Sequence, residues 1–216
     1  MEKKEISSSE KKIVVIFDLD GTLFKTREVV IPSVNHALED VGLPPLSHDE
    51  IITHLGEKVH EFCRNMTRGG THEQATSFVD RLAYHEFVNI PKLGALYPDV
   101  ERLLEHLKEC GHPLAVCSNG SREYVEYVLR CTGIHHRFHL ISAGEENKTK
   151  GDMIREILRH FHVSTGLMIG DSSQDMEGAA EADIPSVGVL YGYGDVTGAT
   201  FKVEDPWEIL EVLEKI

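Results

Sequence analysis

The chain has 216 residues, of which 41% are hydrophobic and 27% charged, and its formal net charge at pH 7 is −14. This composition is typical of a folded globular protein and excludes a disordered one. The negative charge argues against nucleic acid or an anionic membrane as the main partner, although a small anionic substrate can still bind at a locally positive site. The sequence contains no run of about 18 apolar residues, so it predicts no membrane span.

Two further features concern the compartment. Residues 1–12 are polar and lack the apolar segment of a secretory signal, so we expect a frayed leader there. The four cysteines, Cys63, Cys110, Cys117 and Cys131, are widely separated and form no Cys-x-x-Cys pair. Because a chain of this length needs no disulfide to fold, we expect reduced cysteines and a cytoplasmic protein.

The first predicted element is a strand that ends at two carboxylates. Residues 13–17 are all apolar and four of the five are β-branched, which is typical of a strand buried on both faces of a parallel sheet. Asp18 and Asp20 follow, and alternate side chains of an extended chain share a face. Two like charges this close repel each other unless a cation or a shared proton stabilises them. We therefore expect a hard-metal site at this strand end.

A calcium loop of the EF-hand type also begins Asp-x-Asp and is the first alternative. That loop requires an acidic or amide residue at its fifth position and Gly at its sixth, and it follows a helix. Here those positions hold Thr22 and Leu23, and a strand precedes them. The sequence therefore disfavours the calcium loop.

From about residue 26 to residue 92 the strand pattern disappears. Apolar spacing and capping patterns, including Ser47 with Glu50 and Thr71 as a cap, predict helices here. They are expected at 32–41, 48–55, 59–66 and 71–88. Helices without an intervening strand indicate a separate module.

Strands and helices then alternate to the C terminus. Strands are predicted at 114–117, 140–142, 167–169, 187–190 and 200–203. Helices are predicted at 100–107, 124–131, 152–161, 175–182 and 206–213, and the paired histidines at 135–136 are expected in a solvated loop. Repeated strand–helix units predict an α/β fold with a doubly wound parallel sheet, in which ligands bind beyond the carboxyl ends of the strands.

Two polar segments follow later strands. Ser118-Asn119-Gly120 offers a hydroxyl and backbone amides that can face an anion at a helix start, although an ordinary turn is the commoner structure for such a sequence. Lys148 and Lys150 precede the helix at 152–161, where a solvated loop is the simplest interpretation.

The strand at 167–169 runs into Gly170 and Asp171. Asp171 could complete an oxygen-rich magnesium site with Asp18 and the main-chain carbonyl of Asp20. Asp175, in the first turn of the next helix, would orient neighbouring groups or cap that helix.

These strand-end motifs, in this order, resemble those of the haloacid dehalogenase (HAD) superfamily. They are Asp-Leu-Asp-Gly-Thr-Leu at 18–23, the strand ending at Ser118, a lysine before a helix, and Gly-Asp-x-x-x-Asp at 170–175. The resemblance implies a Rossmann-like core at 1–25 and 93–216, with a small helical cap inserted at 26–92.

The resemblance also implies the chemistry. Asp18 would be the nucleophile that forms an aspartyl-phosphate, and Asp20 the general acid and base. Lys150 or Lys148 would pair with the nucleophile and the phosphate. In the family this lysine lies either two or four residues before an Asp, and Lys150 and Lys148 lie at these two distances from Asp152. We favour Lys150 slightly. Mg²⁺ would be held by Asp18, Asp20 and Asp171, with Asp175 in support. The residues expected to bind substrate are Thr22, Ser118, Asn119, Gly120, and in the cap Lys58 and Arg64, with Arg27 and Arg68 as further candidates; surface charge is an equally simple role for each arginine.

The function implied is a magnesium-dependent phosphatase of a small phosphorylated metabolite, similar to phosphoglycolate phosphatases and acting as a monomer or homodimer. Asp20 counts against a dehalogenase, which needs no acid at that position. A sugar phosphomutase of the β-phosphoglucomutase type and a catalytically silent binding protein stay open. A phosphonate hydrolase would need a cap lysine, for which Lys58 is the candidate.

Overall fold

The computed structural model describes residues 13–144 and 147–216. The predicted leader at 1–12 lies outside the described residues. Within them, no helix combines the length and the apolar character that crossing a membrane requires. The four cysteines are free, as expected.

The described strands form one parallel sheet in the order β3-β2-β1-β4-β5-β6. They are β1 (Val14–Phe17), β2 (Leu114–Ser118), β3 (Leu140–Ala143), β4 (Gly166–Gly170), β5 (Ser186–Val189) and β6 (Phe201–Val203). Because β1 lies between β2 and β4, the residues that follow it emerge at the centre of the carboxyl edge. The predicted doubly wound α/β fold is confirmed.

Helices cover both faces of this sheet and form the segment between β1 and β2. They are α1 (Arg27–Asp40), α2 (His48–Ile52), α3 (Val59–Met66), α4 (His72–Leu93), α5 (Val100–Glu109), α6 (Arg122–Cys131), α7 (Lys150–His160), α8 (Ser173–Glu181) and α9 (Ile209–Leu213). Short 3₁₀-helices occur at His135–Arg137 and Pro206–Glu208. The first of these replaces the predicted loop, and the second forms the first turn of the predicted closing helix at 206–213, of which α9 is the rest.

The sheet has an apolar layer on each face. Val15 and Phe17 of β1 join the layer under α5, α6 and α9, whereas Val14 and Ile16 join the layer under α7 and α8. This is the two-sided burial that a continuous apolar strand predicts. Helices α1–α4, which we call the cap helices, share a third buried cluster of their own. The division into a core at 1–25 and 93–216 and a cap at 26–92 stays a prediction.

Two prolines lie inside helices whose ends the sequence analysis placed elsewhere. α1 begins at Arg27 rather than at Pro32, and α4 continues through Pro91 to Leu93 rather than ending near residue 88. A proline removes the amide that would bond the carbonyl four residues earlier. In α4 that carbonyl belongs to Phe87, and it instead accepts a hydrogen bond of 3.1 Å from the Tyr127 hydroxyl. A tertiary contact thus compensates for the lost helical bond.

Capping side chains set several helix starts. The predicted box of Ser47 with Glu50 is present, and Thr71, predicted as a cap, forms a second box with Gln74. Thr149 forms a further box with Asp152, so α7 begins at Lys150 and not at the predicted residue 152. α2 ends at Ile52, three residues earlier than predicted, because turns follow it.

The layer under α5 offers a test of how much apolar burial contributes to stability. Leu103 of α5 is fully buried, whereas Leu93 at the end of α4 is 45% exposed. We expect Leu103→Ala to lower the free energy of unfolding by about 2–5 kcal/mol, because it leaves a cavity in a packed core. Leu93→Ala, the same change at an exposed site, should have an effect below about 0.5 kcal/mol. Urea unfolding of both variants measures this, and equal losses would contradict the assigned burial.

Candidate active site

The carboxyl edge of the sheet brings the predicted motif residues together. Asp18 follows β1, Asp171 follows β4, and Ser118 ends β2. The Asp18 amide donates to the Ile169 carbonyl at 2.8 Å, so the pairing of β1 with β4 extends to the first carboxylate. Strands that run parallel end at one edge, and this places these side chains at a common site.

Lys150 lies buried between two carboxylates. Its Nζ is 2.6 Å from Asp18 Oδ1 and 2.5 Å from Asp175 Oδ1, and all three side chains are at most 9% exposed. Lys148, in contrast, pairs with Glu156 at 2.7 Å and its side chain is 33% exposed. The geometry therefore assigns Lys150, and not Lys148, to the lysine position beside the candidate nucleophile.

The charges in this cluster depend on one another. Burial raises the pKa of Asp18 well above its ordinary value, and Lys150 opposes that shift while Asp175 adds to it. Burial lowers the pKa of Lys150, but Asp175 and Asp18 together raise it above its ordinary value. Lys150 therefore keeps its proton, and its charge is what lets two carboxylates share a dry site.

Asp175 performs both of the roles considered for it. Its Oδ2 accepts hydrogen bonds from the Ser172 amide at 3.0 Å and the Ser172 hydroxyl at 2.7 Å, which caps α8. Its other oxygen pairs with Lys150. Asp175 thus links the start of α8 to the lysine.

The carboxylates suit a divalent cation that prefers oxygen. Ligand atoms of Asp18, Asp171 and Asp175 lie within 4.8 Å of one another, and all three residues are buried. Such an all-oxygen set fits Mg²⁺ by ligand type. Because Asp175 already holds Lys150 and Ser172, the carboxylates of Asp18 and Asp171 are those best placed to bind the ion. The Asp20 carboxylate lies outside this group, as its expected contribution is its main-chain carbonyl.

Neighbouring backbone orients Asp171. Its Oδ2 accepts hydrogen bonds from the amides of Tyr193 at 2.7 Å and Gly194 at 3.3 Å. Burial raises the pKa of Asp171 to about 6, with a further contribution from Asp175. Gly21 has φ +77°, and a Cβ there would lie 2.1 Å from Asp171 Oδ2. The glycine of the first motif is therefore required by both the turn and the close approach of this carboxylate.

The Asp20 side chain points toward the cap helices. Its Oδ1 accepts hydrogen bonds from the Thr26 hydroxyl at 2.5 Å and the Tyr124 hydroxyl at 2.7 Å. Burial raises the pKa of Asp20, and these two donors partly offset the rise. Sequence analysis missed Thr26 and Tyr124, since neither belongs to a motif and only the tertiary fold brings them to Asp20.

The core residues that are expected to bind substrate have different hydrogen-bond partners in the structure. The Ser118 hydroxyl accepts a hydrogen bond of 3.1 Å from the Gly120 amide, within the predicted turn. Asn119 Nδ2 donates to the Gly56 carbonyl at 2.9 Å and to Gln174 Oε1 at 2.5 Å, so it joins the core to the cap helices. Thr22 is fully buried and its hydroxyl has no hydrogen-bond partner. The expectation that Thr22 binds substrate stays a prediction.

The basic residues of the cap helices do not gather at the site. Arg64 and Arg68 line a separate surface groove that contains none of the motif residues. Arg64 is not among the residues that line the cavity at Asp20, whereas Phe62 of the same helix is, and the predicted contact of Arg64 with substrate stays a prediction. Arg27 stacks on the Tyr193 ring at 5.8 Å. Lys58 donates to the Lys148 carbonyl at 3.0 Å, and so contacts the loop before α7.

Two cavities reach Asp20. One, of about 200 Å³, lies between the cap helices and α6. It is lined by Asp20, Thr26, Val30, Leu55, Glu57, Val59, Phe62, Cys63, Val79, Leu82, Ala83, Glu86, Gly120, Ser121 and Tyr124. The other, of about 460 Å³, is lined by Asp20, Asp49, Ile52, Thr53, Leu55, Asp171, Ser172, Tyr193, Gly194 and Asp195. Asp20 and Leu55 separate the two.

Glu86 of α4 is a second carboxyl group in the smaller cavity. Burial raises its pKa to about 8, and the charge of Asp20 adds to the shift. Sequence analysis missed Glu86, because an acidic residue on a largely exposed helix carries no signal of its own.

Comparison with known proteins agrees with this geometry. A family model described as haloacid dehalogenase-like hydrolase matches residues 15–189. The chain belongs to this family. A phosphoglycolate phosphatase from Agrobacterium fabrum is 30% identical over 193 residues, covering 85% of this chain and 82% of the relative. Tyrosine-protein kinase PtkA from Mycobacterium tuberculosis is also 30% identical, over 89% of this chain and 67% of its own length.

Solved structures extend the likeness to three dimensions. A predicted phosphoglycolate phosphatase from Haemophilus somnus superposes with a TM-score of 0.88 at 27% identity, covering 93% of this chain and 97% of that one. A putative β-phosphoglucomutase from Thermotoga maritima, with a TM-score of 0.75 at 22% identity over 94% of this chain and 99% of that one, shares the fold. The expected hydrolase of the HAD superfamily, similar to phosphoglycolate phosphatases, is confirmed.

The free energy of unfolding can distinguish the role of Lys150 from that of Lys148. Lys150→Met leaves Asp18 and Asp175 buried without their cation, so we expect it to lower the free energy of unfolding by about 3–5 kcal/mol at pH 7. Lys148→Met removes a partly exposed ion pair and should cost less than about 1 kcal/mol. Urea unfolding in EDTA measures both, and a similar loss in the two variants would contradict the assignment of Lys150.

The hydrogen bond from Tyr124 to Asp20 can be tested by titration. Tyr124→Phe removes a donor that favours the ionised carboxylate, so we expect the pKa of Asp20 to rise further. Tyr127→Phe is the matched control, because Tyr127 lies on the same helix and donates to the Phe87 carbonyl instead. Carbon-13 NMR of the Asp20 carboxyl group in EDTA reports the shift. An unchanged pKa in Tyr124→Phe, or an equal rise in both variants, would refute this contact.

Proposed function

We propose that the enzyme is a magnesium-dependent phosphatase that hydrolyses a small phosphorylated metabolite through an aspartyl-phosphate intermediate. The observation that carries this proposal is the buried contact of 2.6 Å between Lys150 and Asp18, at the carboxyl edge of the sheet. This lysine holds one carboxylate in a dry site beside a second, Asp171, while a third, Asp20, faces the cleft. The similarity to phosphoglycolate phosphatases supports the same reaction class.

In the first half-reaction, an Asp18 carboxylate oxygen would attack phosphorus. A bond forms between that oxygen and phosphorus, and the bond between phosphorus and the ester oxygen breaks. Asp20 would give its proton to the departing oxygen, and its raised pKa suits an acid that must hold a proton until that moment. Covalent catalysis divides one difficult displacement into two easier ones.

In the second half-reaction, a water oxygen would bond to phosphorus while the bond between phosphorus and the Asp18 oxygen breaks. Asp20, now ionised, would take a proton from that water, and inorganic phosphate would leave as the Asp18 carboxylate is restored. Thr26 and Tyr124 hold Asp20 through both steps, because each donates to the oxygen that can remain unprotonated. Ser118 and Lys150 would bind the phosphoryl oxygens.

Asp18, Asp171 and the main-chain carbonyl of Asp20 would hold the magnesium ion. When bound, Mg²⁺ would offset the negative charge that the phosphoryl group shares with the surrounding carboxylates. The partner proposed for this site is therefore a small phosphate ester. Neither nucleic acid nor a membrane is expected as a partner, and the protein would act as a monomer or homodimer.

Asp18→Asn tests the nucleophile. We expect it to reduce the release of phosphate from an aryl phosphate with Mg²⁺ by roughly 10⁴-fold or more, since the amide cannot form the covalent intermediate. Asp80→Asn is the control, because Asp80 is an exposed aspartate of α4 outside both cavities that reach Asp20. EDTA should abolish activity in the wild type. Comparable turnover by Asp18→Asn, or full activity in EDTA, would contradict the mechanism.

A further inference from the structure

The cavities that reach Asp20 lack basic residues. Every charged residue that lines the smaller cavity is acidic, namely Asp20, Glu57 and Glu86. The same is true of the larger cavity, where the charged residues are Asp20, Asp49, Asp171 and Asp195. An anionic group placed in either cavity would therefore find carboxyl groups, and no lysine, arginine or histidine, among the lining residues.

The smaller cavity has the position of a leaving-group site, an assignment that rests on the proposed function. Asp20 must contact the ester oxygen in order to protonate it, so the rest of the alcohol extends from Asp20. Asp18 and Asp171 do not line this cavity, whereas Asp20 does. The phosphoryl group and the alcohol would then lie on opposite sides of Asp20.

The walls of the smaller cavity are mainly apolar. Val30, Leu55, Phe62 and Leu82 line it, and it includes Val59 and Val79, which are 39% and 43% exposed. A volume of about 200 Å³ is somewhat larger than the roughly 150 Å³ cavity that accommodates benzene in another protein. The space therefore suits a small alcohol with an apolar body.

We propose that this phosphatase selects phosphate esters whose alcohol part is small, largely apolar and free of any anionic group, and that Glu86 is a specificity-determining residue because it occupies the cavity without supplying a cation for a carboxylate. By this proposal 2-phosphoglycolate, whose leaving group bears a carboxylate, is a poor substrate. The negative charge of the phosphoryl group is balanced separately, because Lys150 lies on the Asp18 side of the site.

The environment of Glu86 supports this selection. Burial and Asp20 already make ionisation of Glu86 unfavourable, as its raised pKa records. A substrate carboxylate beside it would enter a poorly solvated space in which no lining residue is a cation that could pair with it. A protonated Glu86 can instead donate one hydrogen bond to an uncharged ligand.

The test compares two esters of matched shape. Isobutyl phosphate and 2-phosphoglycolate have leaving groups with the same branching and the same number of non-hydrogen atoms, but only the second is charged. For the wild-type enzyme with Mg²⁺, we expect kcat/KM for isobutyl phosphate to exceed that for 2-phosphoglycolate by at least about tenfold. A wild type that prefers 2-phosphoglycolate would overturn the proposal while leaving the phosphatase intact. Release of phosphate from neither ester, nor from the aryl phosphate, would instead refute the proposed function.

Variants at position 86 test whether this residue sets the preference between the two esters. Glu86→Lys should lower the ratio of the two kcat/KM values by at least about tenfold, because it adds a cation to the leaving-group cavity. Asp80→Lys makes the same charge change on the same helix outside this cavity, and it should leave the ratio within about twofold. Glu86→Gln keeps an uncharged hydrogen-bonding group and adds no cation, so it should leave the ratio within about threefold while retaining activity on isobutyl phosphate. An unchanged ratio in Glu86→Lys, or an equal change in Asp80→Lys, would refute the role of position 86.

Discussion

The buried ion pairs that Lys150 forms with Asp18 and Asp175 are the constraint on which the site depends. Burying three ionisable groups costs more free energy than their attraction returns unless the geometry is close, and here both contacts are at most 2.6 Å. Lys150 is the first residue of α7, Asp18 follows β1 and Asp175 lies in the first turn of α8, so the ion pairs connect three elements. A Cβ at Gly178 would lie 2.9 Å from Lys150 Cβ, which shows how closely α8 approaches the lysine. Because burying these charges costs free energy, the cluster is better explained by a role in the reaction than by a contribution to the stability of the fold.

How far the sequence predicts the structure depends on whether the signal is local. Apolar runs and capping patterns are local, and they predicted the sheet, the order of its polar strand ends, the capping box at Ser47 and the cap at Thr71. The choice between Lys148 and Lys150 is not local, because both spacings satisfy the motif and only packing against Asp175 decides between them. Proline was also misleading. Pro91 was not expected inside a helix, since nothing near it in sequence indicates that Tyr127 satisfies the Phe87 carbonyl.

The same distinction explains the cap helices. An anionic substrate led to the expectation that cap arginines bind it, yet Arg64 lines a groove that contains none of the motif residues. The residue that does face Asp20 is Glu86, which has the opposite charge. An acidic cap residue is compatible with an anionic substrate, because Lys150 in the core balances the charge of the phosphoryl group. The cap helices are then free to present apolar and acidic surface to the rest of the ligand.

Asp20 connects these two parts of the molecule. One of its hydrogen-bond donors, Thr26, immediately precedes the first cap helix, and the other, Tyr124, belongs to α6 beside the sheet. Core and cap helices also meet through the hydrogen bond from Asn119 to Gly56 and that from Lys58 to the Lys148 carbonyl. A displacement of the cap helices that carried Thr26 with it would remove one of the two donors to Asp20. The proton affinity of the candidate acid is therefore coupled to the position of the helices that enclose the leaving group, so that the closed arrangement is the one in which Asp20 most readily gives up its proton.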